Sequence, residues 1–234
     1  IKFMDVEDFV DGEIAIIQEV HHRNISRLLE IANTDNHLFI VTELITGITL
    51  KEYLDVEMDM PEDKAKFIFR ALIDVVEYLQ SKNIVHRDIQ PSNIILETHD
   101  DTSDYSTCKL ERTVLVDYGC ATHFNPMNPQ SLKGLTGSPQ YAAPRMLVNS
   151  RYSCLVDNFA LGAVLFNMVN GYRPFKYSKD TIAQVYDIGH EDYISPECKD
   201  LCDKLLLTTE DDRLSIQQIK QHKWLSAYDK KINY

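Results

Sequence analysis

Apolar positions along this chain change their spacing at several points, and the changes mark out the elements. Residues 1–4 read as the tail of a strand. Residues 12–20 carry Ile14, Ile16, Ile17 and Val20 in a mainly apolar helical pattern that Asn24-Ile25 ends. Residues 28–31 and 37–42 then read as two strands around the turn Asn33-Thr34-Asp35-Asn36. After Glu43 the period becomes helical. Residues 50–54 and 62–82 predict helices, the second with Pro61 at its first turn and Phe67, Ala71, Leu72, Val75, Val76 and Leu79 on the buried side. Ile94-Ile95-Leu96 and Val114-Leu115-Val116 read as short strands, and the acidic stretch 98–106 between them has the composition of a solvated loop. Residues 120–141 are rich in Asn, Pro, Gly and Ser with little periodicity, and long irregular segments of this kind are usually functional or disordered. Residues 155–171 predict a helix buried nearly all round. Residues 195–207 and 215–224 predict amphipathic helices with Ser195 and Ser215 as caps. The expected fold class is α+β: a small sheet with one helix over residues 1–43 and a larger, mainly helical part over 44–234.

Composition changes this picture little. With 234 residues and 44% hydrophobic content the chain can fill a full core. The longest nearly apolar run, residues 159–169, is interrupted by Asn167 and is too short to cross a bilayer; no leader pattern opens the chain. An intracellular, cytoplasmic protein is expected. The formal charge of −12 opposes binding to a polyphosphate backbone or an anionic membrane, so neither nucleic acid nor membrane is an expected partner. Cys108, Cys120, Cys154, Cys198 and Cys202 form an odd set without a Cys-x-x-Cys pair, which suggests neither a disulfide framework nor a zinc site. Cys198 and Cys202, four apart on a predicted helix, read as buried thiols. His21-His22 read as a helix end.

The chemistry-bearing stretch is His86-Arg87-Asp88-Ile89-Gln90-Pro91-Ser92-Asn93, followed at a distance by Asp117-Tyr118-Gly119. The five-residue step from Asp88 to Asn93 fits one tight loop that aims both side chains into one cleft. Phosphoryl transfer needs a group to orient the attacking hydroxyl, oxygen ligands for magnesium, and positive charge on the phosphates. Asp88 suits the first role, and Asn93 and Asp117 suit the second.

The pairing of H-R-D-x-x-x-x-N with D-[aromatic]-G resembles the eukaryotic protein kinase family, and the likeness runs from residue 1 to about Leu225. Three stretches are most similar to the calmodulin-dependent and myosin-light-chain kinase group. They are Glu13-Ile14-Ala15-Ile16-Ile17 before His22-Arg23-Asn24-Ile25, Ile194-Ser195-Pro196-Glu197-Cys198-Lys199-Asp200-Leu201, and His222-Lys223-Trp224-Leu225. The resemblance implies a two-lobed kinase-like fold, ATP and Mg2+ as cofactors, a protein substrate, and signalling partner proteins. It implies Asp88 as catalytic base, with Gln90 and Asn93 in the same loop, and Asn93 and Asp117 as metal ligands. It further implies Lys2 on the nucleotide phosphates held by Glu13, Thr42 at the back of the adenine pocket, and Glu43-Leu44 as the hinge. Residues 137–145 resemble the end of the activation segment. Asp157 matches the aspartate that anchors the catalytic loop, and Arg213 the arginine that normally pairs with the closing Glu of A-P-E. Ile17, Leu28, His86 and Tyr118 fall where the family stacks a column between the lobes.

Four departures bear on activity. No G-x-G-x-x-G loop exists here, since Gly12 is the only glycine before Gly47; either the chain starts within the family domain or the lid over ATP is lost. Gln90 stands where related serine/threonine kinases carry Lys, and a neutral amide cannot neutralise developing charge, so slow chemistry is expected. Arg145 replaces the A-P-E glutamate, so Arg145 is expected to turn to solvent or find another acid. Thr49 and Ser92 replace carboxylates with which basophilic relatives read arginine on a substrate. Tyr118 adds a hydroxyl that needs a partner. Ser131 and Thr136 are candidates for phosphorylation opposite Arg87, with Ser138 in place of the cleft threonine. The enzyme reading and a pseudokinase reading, a nucleotide-binding or scaffolding module, both remain open from the sequence.

Overall fold

The computed structural model describes residues 2–5, 11–34, 37–98, 108–183 and 194–226, with the backbone path alone for 2–5 and 11. The first part of the chain forms a three-stranded antiparallel sheet of β1 (Lys2–Asp5), β2 (Leu28–Asn33) and β3 (His37–Thr42), ordered β1-β3-β2. Helix α1 (Asp11–Glu19) lies between β1 and β2 in sequence and buries Glu13, Ile16 and Ile17. The β2–β3 turn is closed by Thr34, whose N–H donates to the His37 carbonyl at 2.8 Å and whose hydroxyl accepts the His37 N–H at 3.2 Å. Asp35 and Asn36 of the expected turn lie outside the described residues, as do residues 99–106 of the expected acidic loop.

Past Thr42 the chain becomes mainly helical. Strand β4 (Gly47–Thr49) runs directly into α2 (Leu50–Glu57), and Thr49 caps that helix in a reciprocal box with Glu52. Gly47 is obligatory: a Cβ there would stand 2.0 Å from the Leu96 carbonyl oxygen of the neighbouring strand. Helix α3 (Glu62–Ser81) begins after Pro61, which is extended and takes the capping position rather than the first turn. Its buried stripe runs through Ala65, Ile68, Phe69, Leu72, Ile73, Val75, Val76 and Leu79. Phe67 and Ala71, expected on that face, are only partly buried, because the stripe follows the i, i+3, i+4 rows set by Ile68 and Leu72.

Strand β5 (Ile84–Val85) pairs with β8 (Thr122–His123), while β6 (Ile94–Glu97) pairs with β4 on one side and β7 (Arg112–Leu115) on the other. Val116 falls just beyond β7. A short α4 (Pro144–Leu147) precedes α5 (Leu155–Asn170), every residue of which from Val156 to Val169 is buried, and Gly171 in the left-handed conformation ends it. Then follow α6 (Ser178–Ala183) and α7 (Pro196–Leu205), the latter capped by Ser195. The predicted last helix is two: α8 (Ile216–Lys220), capped by Ser215, and α9 (Lys223–Ser226). The break arises at His222, whose Nδ1 accepts the Trp224 N–H at 3.3 Å and so starts a new helix.

The result is a small sheet lobe with one helix joined to a larger helical lobe, the expected fold class. The lobes are bridged where Ile25 pairs with Leu115 and the Leu115 N–H donates to the Asn24 carbonyl at 2.8 Å. Among the described residues no helix is long and apolar enough to cross a membrane, and the five cysteines are all free.

Helix α5 is the hub of the large lobe, packed against α3 and α7. Gly162 permits the α7 contact, since a Cβ there would lie 2.5 Å from the Leu205 Cβ. Alanine is the better helix former by about 1 kcal/mol, yet Gly162→Ala is expected to destabilise the domain by roughly 1–3 kcal/mol through overpacking. Urea denaturation of the two proteins checks this; a more stable variant would contradict the close approach.

Candidate active site

The loop from His86 to Asn93 connects β5 to β6, and a buried aspartate sets its path. Asp157, on the first turn of α5, accepts the backbone N–H of His86 at 2.7 Å and of Arg87 at 2.9 Å. Between those anchored residues and Asp88 the backbone turns sharply, with Arg87 at φ 67°. The Arg87 guanidinium donates to the Cys120 carbonyl at 2.7 Å and approaches the Tyr152 hydroxyl at 3.4 Å, which ties the loop to the start of the irregular segment. The loop closes in a 3-10 turn at Pro91–Asn93.

Sheet register brings the second motif to the first. Ile94 lies opposite Leu115, and the Val116 N–H donates to the Asn93 carbonyl at 2.9 Å, so Asn93 and Asp117 emerge at the same end of the β6–β7 hairpin. Asp117 has φ 62°, and its Oδ1 accepts the Gly119 N–H at 3.2 Å. The Tyr118 ring packs edge-on against His86, with ring centroids 4.9 Å apart. Among the described residues its buried hydroxyl has no hydrogen-bond partner, a feature that costs about 1–3 kcal/mol. Burial accordingly raises the Tyr118 phenol well above its ordinary range.

Asp88 is the most heavily bonded side chain of the group. Its Oδ1 accepts the Ser138 N–H at 2.8 Å, and its Oδ2 accepts the Asn93 amide at 2.9 Å. The Gln90 amide donates to both oxygens at 3.1 Å. The Asn93 amide also donates to the Asp88 carbonyl at 2.9 Å, which leaves the Asn93 side-chain oxygen for another task. Gly137 makes this closure sterically feasible: a Cβ there would meet the Arg87 carbonyl oxygen at 2.6 Å and Asp88 Oδ1 at 2.7 Å. Nothing in the sequence pattern singled out Gly137 for this role.

Above Asp117 lies a cleft of about 450 Å³ between the lobes, lined by Glu13, Ile17, Ile40, Thr42, Leu44 and Val116 among others. Thr42, Glu43 and Leu44 therefore face one cavity with Glu13 and Asp117. The Glu43 carboxylate is committed to the Arg27 N–H at 3.1 Å and to Arg112 at 3.3 Å. The Lys2 backbone lies in β1 opposite Ile40, another lining residue, but its side chain is outside the described residues, so the Lys2–Glu13 contact stays an expectation. A mainly apolar slot suits a flat ring system, and with carboxylates on its lining a nucleotide's phosphates would enter it only with a metal ion between them. Among the described residues no cluster of three or more His, Cys, Asp or Glu stands ready to hold an ion. Magnesium commonly uses one or two protein oxygens and completes its shell from phosphates, and Asn93 with Asp117 fits that habit.

The remaining expected residues find varied partners. Among the described residues Arg145 reaches an acid only through an amide: it donates to Gln130 Oε1 at 2.6 Å, and Gln130 donates to Glu210 at 2.9 Å. Glu210 is buried and also accepts the Ser153 N–H. Arg213, buried as well, donates to the Leu155 and Leu207 carbonyls at 2.8 and 2.7 Å; burial pulls its guanidinium down to about 10, against the pull of Glu210. Ser131 accepts the Asn125 N–H at 3.2 Å, and Thr136 is half-buried. Of the expected column, Ile17, His86 and Tyr118 are buried while Leu28 is partly exposed.

A family model described as protein kinase domain matches residues 3–225. The chain is 30% identical over 234 residues to serine/threonine-protein kinase DCLK3 from Homo sapiens, covering 96% of this chain and 34% of that protein. It is 29% identical to probable serine/threonine-protein kinase MARK-A from Dictyostelium discoideum, covering 93% of the chain and 20% of the relative. It is 31% identical to SNF1-related protein kinase catalytic subunit alpha KIN12 from Arabidopsis thaliana, covering 97% of the chain and 44% of the relative. The chain thus spans less than half the length of each of these relatives.

His86 and Asp157 bind protons in opposite senses. Burial lowers the His86 imidazole from 6.5 to about 4, so its contribution is present above 6.5 and is lost as pH falls toward 4. Burial raises Asp157 from 3.8 to about 6, against the two N–H donors, so its contribution is present below 3.8 and is lost as pH rises through 6. The two slopes oppose each other between pH 4 and 6. In His86→Phe only the Asp157 slope remains, so stability relative to the parent should improve by roughly 1–3 kcal/mol as pH falls from 7 to 4.5. Denaturant titrations at pH 7, 6, 5 and 4.5 measure it, and parallel pH profiles would contradict a neutral buried imidazole.

Proposed function

The chain belongs to the protein kinase domain family, and from that premise we propose that it transfers the terminal phosphoryl group of ATP, with Mg2+, to serine or threonine hydroxyls of protein substrates. One observation carries the reading: the Asn93 amide is bonded to the Asp88 carboxylate, and the β6–β7 register sets Asn93 and Asp117 at the same strand end, with Asp117 lining a mainly apolar cleft. Residues 1–43 and 44–234 are taken as the two lobes that meet there. Asp88 orients the acceptor hydroxyl and takes its proton. Asn93 and Asp117 would hold the metal, which when bound supplies charge neutralisation on the phosphates. Lys2 serves the phosphates with Glu13 behind it, and Thr42, Glu43 and Leu44 border the base. The stretches around Ile194 and His222 support assignment to the calmodulin-dependent and myosin-light-chain kinase group. The free thiols and net charge of −12 accord with a cytoplasmic protein whose partners are proteins.

Gln90 restrains this machinery. A carboxylate offers about four lone-pair sites, and Asp88 already faces three N–H donor groups, with the single Gln90 amide nitrogen shared between both of its oxygens. An incoming hydroxyl must displace the Gln90 amide, and what remains is neutral where charge develops. Slow turnover follows.

Radiolabel transfer from ATP to a mixed protein substrate, using the full-length protein, tests the assignment. Asp88→Asn should abolish transfer, and Gln90→Lys should raise kcat by about tenfold or more. Transfer that survives Asp88→Asn would overturn the role of Asp88. No transfer by either the parent or Gln90→Lys would favour a binding module with this fold.

A further inference from the structure

A groove of about 470 Å³ opens beside the Asp88 loop, lined on one side by Lys51 and Asp55 of α2 and Gln90 to Ser92, and on the other by Tyr141 and Arg173. Its position next to Asp88 makes it the place where a segment bearing the acceptor hydroxyl would lie, if the kinase reading above holds. Its charges do not suit a basic segment. Asp55 is the one carboxylate among its lining residues, and Lys51, four residues earlier on the same helix, holds it at 2.5 Å. Asn167 at its floor is a neutral amide that accepts the Tyr141 hydroxyl at 2.7 Å. Thr49 is spent on capping α2, and Ser92 is exposed and neutral.

Arg173 is the uncommitted charge. Among the described residues it has no carboxylate partner, it is exposed, and its positive field reaches the Tyr141 phenol, where it opposes the rise caused by burial. The stretch from Arg173 to Asp180 adds Lys176 and Lys179 against one carboxylate, that of Asp180, which accepts the Tyr177 N–H at 3.0 Å. A local excess of positive charge in a chain of net charge −12 is a departure from the background field.

We propose that this groove selects acidic protein segments, with Arg173 pairing a glutamate or aspartate close to the acceptor hydroxyl. Lys51 neutralises Asp55 and so prevents it from repelling such a segment. Arg173 acts as a specificity residue and takes no part in the chemistry.

The test uses the full-length protein and three peptides that share one serine acceptor, flanked by glutamates, by arginines or by neutral residues. Binding by fluorescence anisotropy and phosphate transfer by radiolabel are measured in parallel. The glutamate peptide should bind about tenfold tighter than the arginine peptide at low salt, and the gap should narrow as ionic strength rises. In Arg173→Glu the order of the two peptides should reverse, and in Arg173→Ala the gap should shrink. Equal binding, preference for the arginine peptide, or no binding of any peptide overturns the proposal. If all three bind in the expected order yet none is phosphorylated, the groove assignment stands and the kinase reading fails.

Discussion

The placement of this site depends on one buried carboxylate. Asp157 is enclosed by protein on all sides, and burying an isolated charge of that kind costs several kcal/mol. Two short backbone hydrogen bonds, from His86 and Arg87, offset part of that cost, each charge-assisted bond contributing about 1.5–3 kcal/mol. The bonds in turn hold Arg87 in a left-handed conformation that an arginine would not adopt alone. Because Asp157 belongs to α5, the most buried of the described helices, the position of Asp88 is referred to the core of the large lobe rather than to its surface.

Around that fixed point the loop is over-determined. His86 packs on Tyr118 and its Nδ1 accepts the Asp88 N–H at 3.3 Å; Arg87 reaches the Cys120 carbonyl; Gly137 lets Ser138 close on Asp88. Each contact joins a different segment to the same three residues. Such convergence preorganises a carboxylate without a contribution from substrate. It also explains how Asp88 comes to face three donor groups, with the Gln90 amide spanning both carboxylate oxygens.

The altered ion pair shows how a charge change can be absorbed. With Arg145 where a glutamate is usual, two arginines share one region, and Glu210 supplies the compensating negative charge through Gln130 on one side and by proximity to Arg213 on the other. Arg213 satisfies its donors with carbonyls and lies over the Phe159 ring, its guanidinium 5.1 Å from the centroid. A buried guanidinium can persist without a direct salt bridge when its field has an acid within reach.

Much of this was legible in the sequence. The helices announced themselves by period, Ser195 and Ser215 by cap chemistry, and Asp88, Asn93 and Asp117 by the spacing of two short motifs, because local geometry and oxygen chemistry constrain neighbours along a chain. The misplacements at Phe67 and Ala71 and at the His222 break came from packing and from a side chain capping its own backbone, neither of which a period reports. Gly47, Gly137 and Gly162 could not be weighed beforehand, since their need for no side chain arises from segments distant in sequence. Nor could the relay from Arg145 to Glu210, or the bonds by which Gln90 occupies Asp88. The sequence by itself determined which groups are the candidates to carry the proposed chemistry, and in what order they stand. Only the tertiary structure decided which of them touch, because hydrogen bonds and close approaches are set by three-dimensional distance between residues as far apart as Arg87 and Asp157.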